Sequence, residues 1–272
     1  MIKKNMLKQA KPNETQYHIG LSKNMIKNAE YVLLPGDPHR VESIAKAFDP
    51  KAVFIADSRE HKSYLANFHG HNILICSTGL GAPNIGITIE ELAVIGLKYY
   101  LRIGTCGAIQ PYVELGDVVI SSACVRLEGA SKDYAPVEYP AVASFEFTND
   151  IIEGAKNSLA PFHVGITATT DTFWQGQERY DSYTGYLLRS KRNSMEEWRA
   201  LNVINFEMEA AALFVMASVM GLQAACICGV VAKRVESEKI SLNTKNGAAK
   251  SNWEKVALKG IYSSMQRRGL II

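Results

Sequence analysis

Apolar residues along this chain fall in short runs broken by polar, glycine-rich stretches. The runs stand at 31–35 (YVLLP), 52–56 (AVFIA), 72–76 (NILIC), 99–104 (YYLRIG), 117–125 (DVVISSACV), 162–169 (FHVGITAT), 203–207 (VINFE) and 223–232 (QAACICGVVA). Continuous apolar runs of this length predict strands buried on both faces. Between several of them the spacing changes to that of an amphipathic helix, at 39–48, 84–96, 147–159, 208–220 and 252–265. Strands alternating with helices predict an α/β fold, a single-domain three-layer sandwich around a mixed, largely parallel β-sheet. No linker, repeat or low-complexity stretch divides it, so one domain is expected over 17–272. The basic, polar residues 1–16 read as a flexible N-terminal arm and contain no apolar core of a signal peptide.

One stretch imitates a membrane span. From Ala210 to Ala232 the conventionally polar side chains are Ser218 and Gln223 alone. Gly221 divides it, with a helix-like AAALFVMASVM before and a strand-like AACICGVVA after, so a buried helix and a core strand are expected instead of a span. Composition narrows the partners. With 47% hydrophobic and 21% charged residues the chain can bury a full core, and a net charge of +3 without long basic runs argues against nucleic acid. It suits a small anion. Five cysteines (76, 106, 124, 226 and 228) form no CxxC pair, which predicts reduced thiols and a cytoplasmic protein.

In open α/β sheets ligands bind beyond the carboxyl ends of the strands. The chemically unusual segments of this chain fall at those ends. In PGDPHR (35–40), Gly36 shapes a turn and Arg40 lies in the first turn of a helix. Free N–H groups there could hold an anion, or Asp37 could simply cap the helix. STGLGAPN (77–84) has two glycines of a dinucleotide fingerprint, but Asn84 stands where the third belongs and no ribose-binding acid follows. That loop is expected to give close backbone approach to a small ligand or a neighbouring chain. In RIGTCGAIQ (102–110), a turn is expected at Gly104, Thr105 and Gly107, with Arg102 and Thr105 able to reach a phosphate. Cys106 would need a base or a helix dipole to act as a nucleophile, and the six histidines offer no evident partner.

Two further segments carry planar and acidic groups. DTFWQGQERYDSY (171–183) sets Gln177 and Arg179 among aromatics. Their donors and acceptor suit a heterocycle with carbonyl oxygens and a ring N–H, and Phe173 could stack on it; an ordinary surface loop is the alternative. In NFEMEAA (205–211), Glu207 and Glu209 flank Met208 at a strand-to-helix junction. They could answer the helix dipole or accept bonds from vicinal sugar hydroxyls. HGH (69–71) lacks further metal ligands and is expected to be a hairpin turn.

Taken together these segments resemble the uridine-cleaving branch of the hexameric nucleoside phosphorylase family. HIGL (18–21), PGDPHRV, STGLGAPN, LRIGTCGAIQP, VRLEGAS (125–131), DTFWQGQERYD, SMEEW (194–198) and NFEMEAA carry the resemblance, which covers roughly 17–235. It implies reversible phosphorolysis of uridine to uracil and ribose 1-phosphate, with inorganic phosphate as co-substrate and no organic cofactor. By the same resemblance Gly36, Arg40, Arg102 and Thr105 would hold phosphate, with Arg59 from a neighbouring subunit. Arg102, Met208 and Glu209 would hold ribose, with His18 from that neighbour. Thr105, Cys106, Gly107 and Glu207 would line the nucleoside. Gln177 and Arg179 would read the base, with Phe173 against it and Arg234 near its outer edge. Arg102, Gln177, Arg179 and Glu209 would form the catalytic set. The resemblance also implies a hexamer built as three dimers and a monovalent cation (K+) between paired subunits, at positions matched by Glu60, Ile73 and Ser77.

Three positions depart from the pattern of that branch: Cys106 replaces a threonine, Phe206 a tyrosine and Gln175 a proline. Affinity and base preference rest on these. Purine-cleaving relatives place an aspartate after the last strand, where this chain reads VVAKRVES (230–237). A nucleosidase using water would not need three arginines, and a non-catalytic nucleoside-binding protein would not need the phosphate loops.

Overall fold

The apolar runs pair into one ten-stranded sheet. The structure, a computed structural model, describes residues 7–237, 239–241 and 248–272. In chain order its strands are β1 (Tyr31–Pro35), β2 (Val53–Ser58), β3 (His61–Phe68), β4 (His71–Cys76), β5 (Tyr99–Ala108), β6 (Val118–Leu127), β7 (Ala141–Val142), β8 (Phe162–Thr170), β9 (Val203–Glu207) and β10 (Gln223–Lys233). The spatial order is β10-β6-β8-β9-β5-β1-β4-β3-β2, with β7 on β6 and a second pairing of β10 with β5. That second pairing closes β5, β10, β6, β8 and β9 into a ring, and β1, β4, β3 and β2 extend from it as an open wing. Parallel and antiparallel pairs are equally numerous among the described residues. The parallel ones hold β1 between β4 and β5, β8 between β6 and β9, and β10 against β5.

Helices cover both faces. α2 (Ala82–Ile95) and α5 (Ala210–Met220) bury against one side of the sheet; α1 (Val41–Phe48), α3 (Phe145–Ser158) and α6 (Ala248–Arg267) bury against the other. This is the expected three-layer arrangement. α5 is apolar all round because its residues 210–217 are all buried, between the sheet and α2. Gly221, at φ 71°, ends it in the left-handed conformation that stops a helix, and β10 begins two residues later. Among the described residues no helix is long and apolar enough to cross a membrane. α3 and α6 cross at two glycines: a Cβ on Gly154 would lie 2.2 Å from the backbone nitrogen of Gly260.

Four elements differ from expectation. β3 pairs on both sides although HKSYLANF has no apolar run, and the short α4 (Ser194–Ala200) and two-residue β7 gave no periodic signal. β5 runs on to Ala108, so Gly104, Thr105 and Gly107 lie in a strand and not in a turn. The glycines there mark close approach of side chains. HGH is the expected hairpin turn: His69 and Gly70 have φ 51° and 85°, and His71 pairs with Phe68. Residues 1–6 of the N-terminal arm lie outside the described residues. From Ala10 the chain lies against the body, with the buried Ala10 donating its N–H to Val94 at 3.1 Å.

Candidate active site

The carboxyl ends of β1, β4, β8 and β9 and the second half of β5 open onto one cavity of ≈ 680 Å³. Gly36 and Arg40 line it from the turn after β1, and Leu80 from the loop before α2. Arg102, Gly104, Thr105, Cys106 and Gly107 line it from β5. The loop after β8 supplies Thr172, Phe173, Trp174, Gln177 and Arg179; the β9–α5 junction supplies Phe206, Glu207, Met208 and Glu209. Val231, Ala232 and Ile240 complete the wall. Five segments distant in sequence therefore converge, as their placement at strand ends predicts.

The charged end is built on Arg102. Its Nε donates to Glu207 Oε2 at 2.9 Å and its Nη2 pairs with Glu209. All three side chains are buried. Gly104 is required beside them, since a Cβ there would lie 2.7 Å from Arg102 Nη2. Glu209 also accepts the Gly81 N–H at 2.6 Å. The close approach provided by STGLGAPN is thus to a carboxylate of the same chain. Burial opposes the Arg102 charge, but Glu209 and Glu207 outweigh it and hold its pKa well above the usual guanidinium value. Glu207 fares differently: burial pushes it up to about 7 against the pull of Arg102, and Glu209 pushes the same way as burial. Its carboxylate also caps α5, accepting the N–H groups of Glu209 (2.8 Å) and Ala210 (2.9 Å), and so answers the helix dipole as well.

Arg40 enters the same cavity without a carboxylate partner within 4.0 Å among the described residues. Burial lowers its pKa, and the nearby Arg102 charge adds to that. Asp37 caps the short turn Pro38–Arg40 by accepting the His39 N–H at 2.9 Å, which aims the start of α1 at the cavity. An unpaired guanidinium beside a second one makes a receptor for an anion.

The other end is aromatic and amide-rich. The Arg179 guanidinium lies over the Phe173 ring at 4.0 Å from its centroid, and Gln177 Nε2 donates to Thr170 Oγ1 at 3.3 Å. Their loop is tied down from three directions. Arg234 donates to the carbonyls of Gln177 (3.0 Å) and Glu178 (3.1 Å). Glu178, at φ 51°, accepts the N–H groups of Asn193 (2.5 Å) and Met195 (2.6 Å) at the start of α4. Gln175 donates to the Tyr186 carbonyl at 2.7 Å and accepts the Leu188 N–H at 3.2 Å. The short α4 that sequence periodicity missed is therefore the anchor of this loop.

Cys106 is 4% exposed, and burial pushes its thiol well above the ordinary range, with the Cys228 thiol adding to the effect. It is not an activated nucleophile. Other expected residues lie apart from the cavity lining. Arg234 is buried behind the loop, its stem against Gly107. His18 and Arg59 meet on the outer surface through Tyr17: Arg59 donates to the Tyr17 hydroxyl at 3.2 Å, and the Tyr17 and His18 rings meet edge to face. Glu60, Ile73 and Ser77 do not surround one point. Ser77 donates to the Glu60 carbonyl at 2.6 Å, but Ile73 lies back inside β4, four residues before Ser77 and roughly 13 Å away at the strand rise, with its side chain fully buried in the core. That set does not fit a cation cage.

The arrangement can hold an anion at Arg40 and Arg102, a hydroxylated ring at Glu209, and a planar heterocycle at Gln177 and Arg179. The sequence model of the phosphorylase superfamily matches residues 30–257. The uridine phosphorylase of Salmonella typhimurium is 48% identical over 222 residues, covering 82% of this chain and 87% of that protein. That of Thermococcus kodakarensis is 47% identical over 223 residues, covering 82% and 79%. The guanosine phosphorylase of Halorubrum lacusprofundi is 36% identical over 201 residues, covering 74% and 77%. A family match that takes in every cavity loop, with relatives of such identity, shows that the chain belongs to the phosphorylase superfamily.

Proposed function

We propose that this chain cleaves uridine with inorganic phosphate, reversibly, giving uracil and ribose 1-phosphate. The observation that carries the reading is that one cavity is lined together by Arg40 and Arg102, by Glu209, and by Gln177 and Arg179. Phosphate at the paired arginines sits beneath the sugar, with Gly36 and Thr105 beside it. Glu209 and Met208 hold the ribose hydroxyls. As the bond from C1′ to N1 breaks, its electron pair leaves with uracil and the sugar takes on oxocarbenium character. A phosphate oxygen bonds to C1′. The proton that hydrogen phosphate loses in becoming an ester ends on uracil N1. Gln177 and Arg179 stabilise the charge that develops on the uracil oxygens, in a site already oriented before reaction. No covalent enzyme intermediate is needed, in keeping with the buried, protonated thiol of Cys106.

His18 and Arg59 complete the site from a second copy of the chain, so the active unit is a homo-oligomer, a hexamer of three dimers on the family pattern. The enzyme works in the cytoplasm, in pyrimidine salvage, without nucleic acid or membrane partners. A cation bound by Glu60, Ile73 and Ser77 has no place in this reading, because those residues do not converge.

The test is turnover of uridine, deoxyuridine, thymidine, inosine and guanosine, each with and without phosphate. Phosphate-dependent release of uracil from uridine is expected. Cleavage that ignores phosphate would mean hydrolysis, and turnover confined to the purine nucleosides would overturn the base assignment.

A further inference from the structure

Thr169 lies one residue before the end of β8, fully buried and outside the cavity lining. Its hydroxyl donates to Glu207 Oε1 at 2.5 Å and accepts the N–H of Ala211 at 3.0 Å. The Ala211 N–H takes one acceptor site of the hydroxyl, and its single proton goes to Glu207, since a charged carboxylate can only accept. The other Glu207 oxygen receives Arg102 Nε. As a carboxylate, Glu207 accepts from both neighbours and from the N–H groups of Glu209 and Ala210. Hydrogen bonding to the charged form favours it, and Thr169 acts against the burial that raises Glu207. Arg102 in turn reaches Glu209 and the cavity from this anchor, in the space that Gly104 leaves open.

We propose that Thr169 is a positioning residue: through Glu207 it holds Arg102 in the orientation that receives the anion. The inference rests on the phosphorolysis reading for its kinetic consequence, though the anion can be measured by itself. Thr169→Val keeps the shape of the side chain and removes the hydroxyl; Thr169→Ser keeps the hydroxyl. Calorimetry with inorganic phosphate on the full chain, alongside uridine kinetics and thermal midpoints, separates the cases. Thr169→Val should weaken phosphate binding about tenfold or more and raise KM for phosphate accordingly, as expected for one lost bond to a charged group. The change in kcat should be much smaller, and Thr169→Ser should restore affinity. Phosphate affinity unchanged in Thr169→Val would overturn the proposal. So would loss in both variants in proportion to lost thermal stability, which would leave Thr169 only a structural role. If the parent binds phosphate but leaves uridine intact, the reaction reading fails alone, and the phosphate comparison still decides the role of Thr169.

Discussion

At the residue scale the chemistry depends on which groups are charged. Cys106 stands between glycines and near an arginine, but the sequence offers it no evident activating base. Folded, it sits in β5 facing Asn205, with its proton held by burial. Cys106→Ser and Cys106→Thr should therefore keep kcat within about threefold of the parent, whereas removing a true nucleophile costs roughly 10⁶-fold. Both variants place a hydroxyl acceptor beside Asn205 Nδ2, which is buried without a hydrogen-bond partner among the described residues, so phosphate and nucleoside affinity should hold or improve. Glu207 makes a pH prediction. Its carboxyl rises from 4.5 in the unfolded chain to about 7 in the folded one. Between those values the folded state keeps a proton that the unfolded state has released. The contribution of this group to stability is then fully present below 4.5 and declines as pH rises through about 7. Thermal midpoints across that window should fall more steeply for the parent than for Glu207→Gln, which cannot titrate. Parallel curves would remove Glu207 as the source.

At the element scale, the loop after β8 shows how a short segment can be made rigid without regular structure. Gln175 spans it from Tyr186 to Leu188, in a position where the resembling family carries proline. A proline stiffens its own backbone; a glutamine with two bonds stiffens a neighbouring strand of loop. Gln175→Ala should raise KM for uridine about threefold to tenfold, the effect of losing two part-exposed hydrogen bonds, with kcat nearly unchanged. Steady-state kinetics on uridine at saturating phosphate reads this directly, and an unchanged KM would show that the loop is held without it. Such contacts also mark what the sequence could reveal. β1 and β9 were legible to the residue: all five positions of each are buried, which leaves an unbroken apolar run in β1 and one interrupted by Asn205 before the closing Glu207 in β9. β3 was not, because it lies between β2 and β4 near the edge of the open wing and carries His61, Lys62 and Asn67 within its length. The second half of β5 read as a turn because Gly104 and Gly107 answer to Arg102 and Arg234, side chains whose positions only the fold sets. For the same reason the pairing of Arg102 with both glutamates was out of reach, although each residue was a candidate. Thr169 gave no local signal at all: its partner is 38 residues away.

At the scale of the whole molecule, His18 and Arg59 lie outside the lining of the cavity they are expected to complete. In one chain they stand together on the outer surface, with Arg59 held to Tyr17 and His18 to Glu91 at 2.7 Å. Neither touches the cavity of its own chain. Packed side by side, a second copy could deliver both at once, and in a two-fold pair each chain would complete the site of the other. This arrangement has a consequence that a self-contained site lacks. On that arrangement Arg59→Ala and Arg102→Lys should each lower activity severely when purified separately, since the first would remove a donor supplied by the partner and the second breaks the fork that binds Glu207 and Glu209 beside the anion. When the two inactive variants are mixed, dissociated and reassociated, half of the pairs are mixed. In each mixed pair one site collects both substitutions and the other collects neither. Activity should then recover to about one quarter of the parent, the share of intact sites that random isologous pairing gives. Sites formed within single chains cannot recover on mixing, however the chains assemble. Sedimentation of the mixture must show that pairs have re-formed; with pairs present, an absence of recovered turnover would assign Arg59 to its own chain.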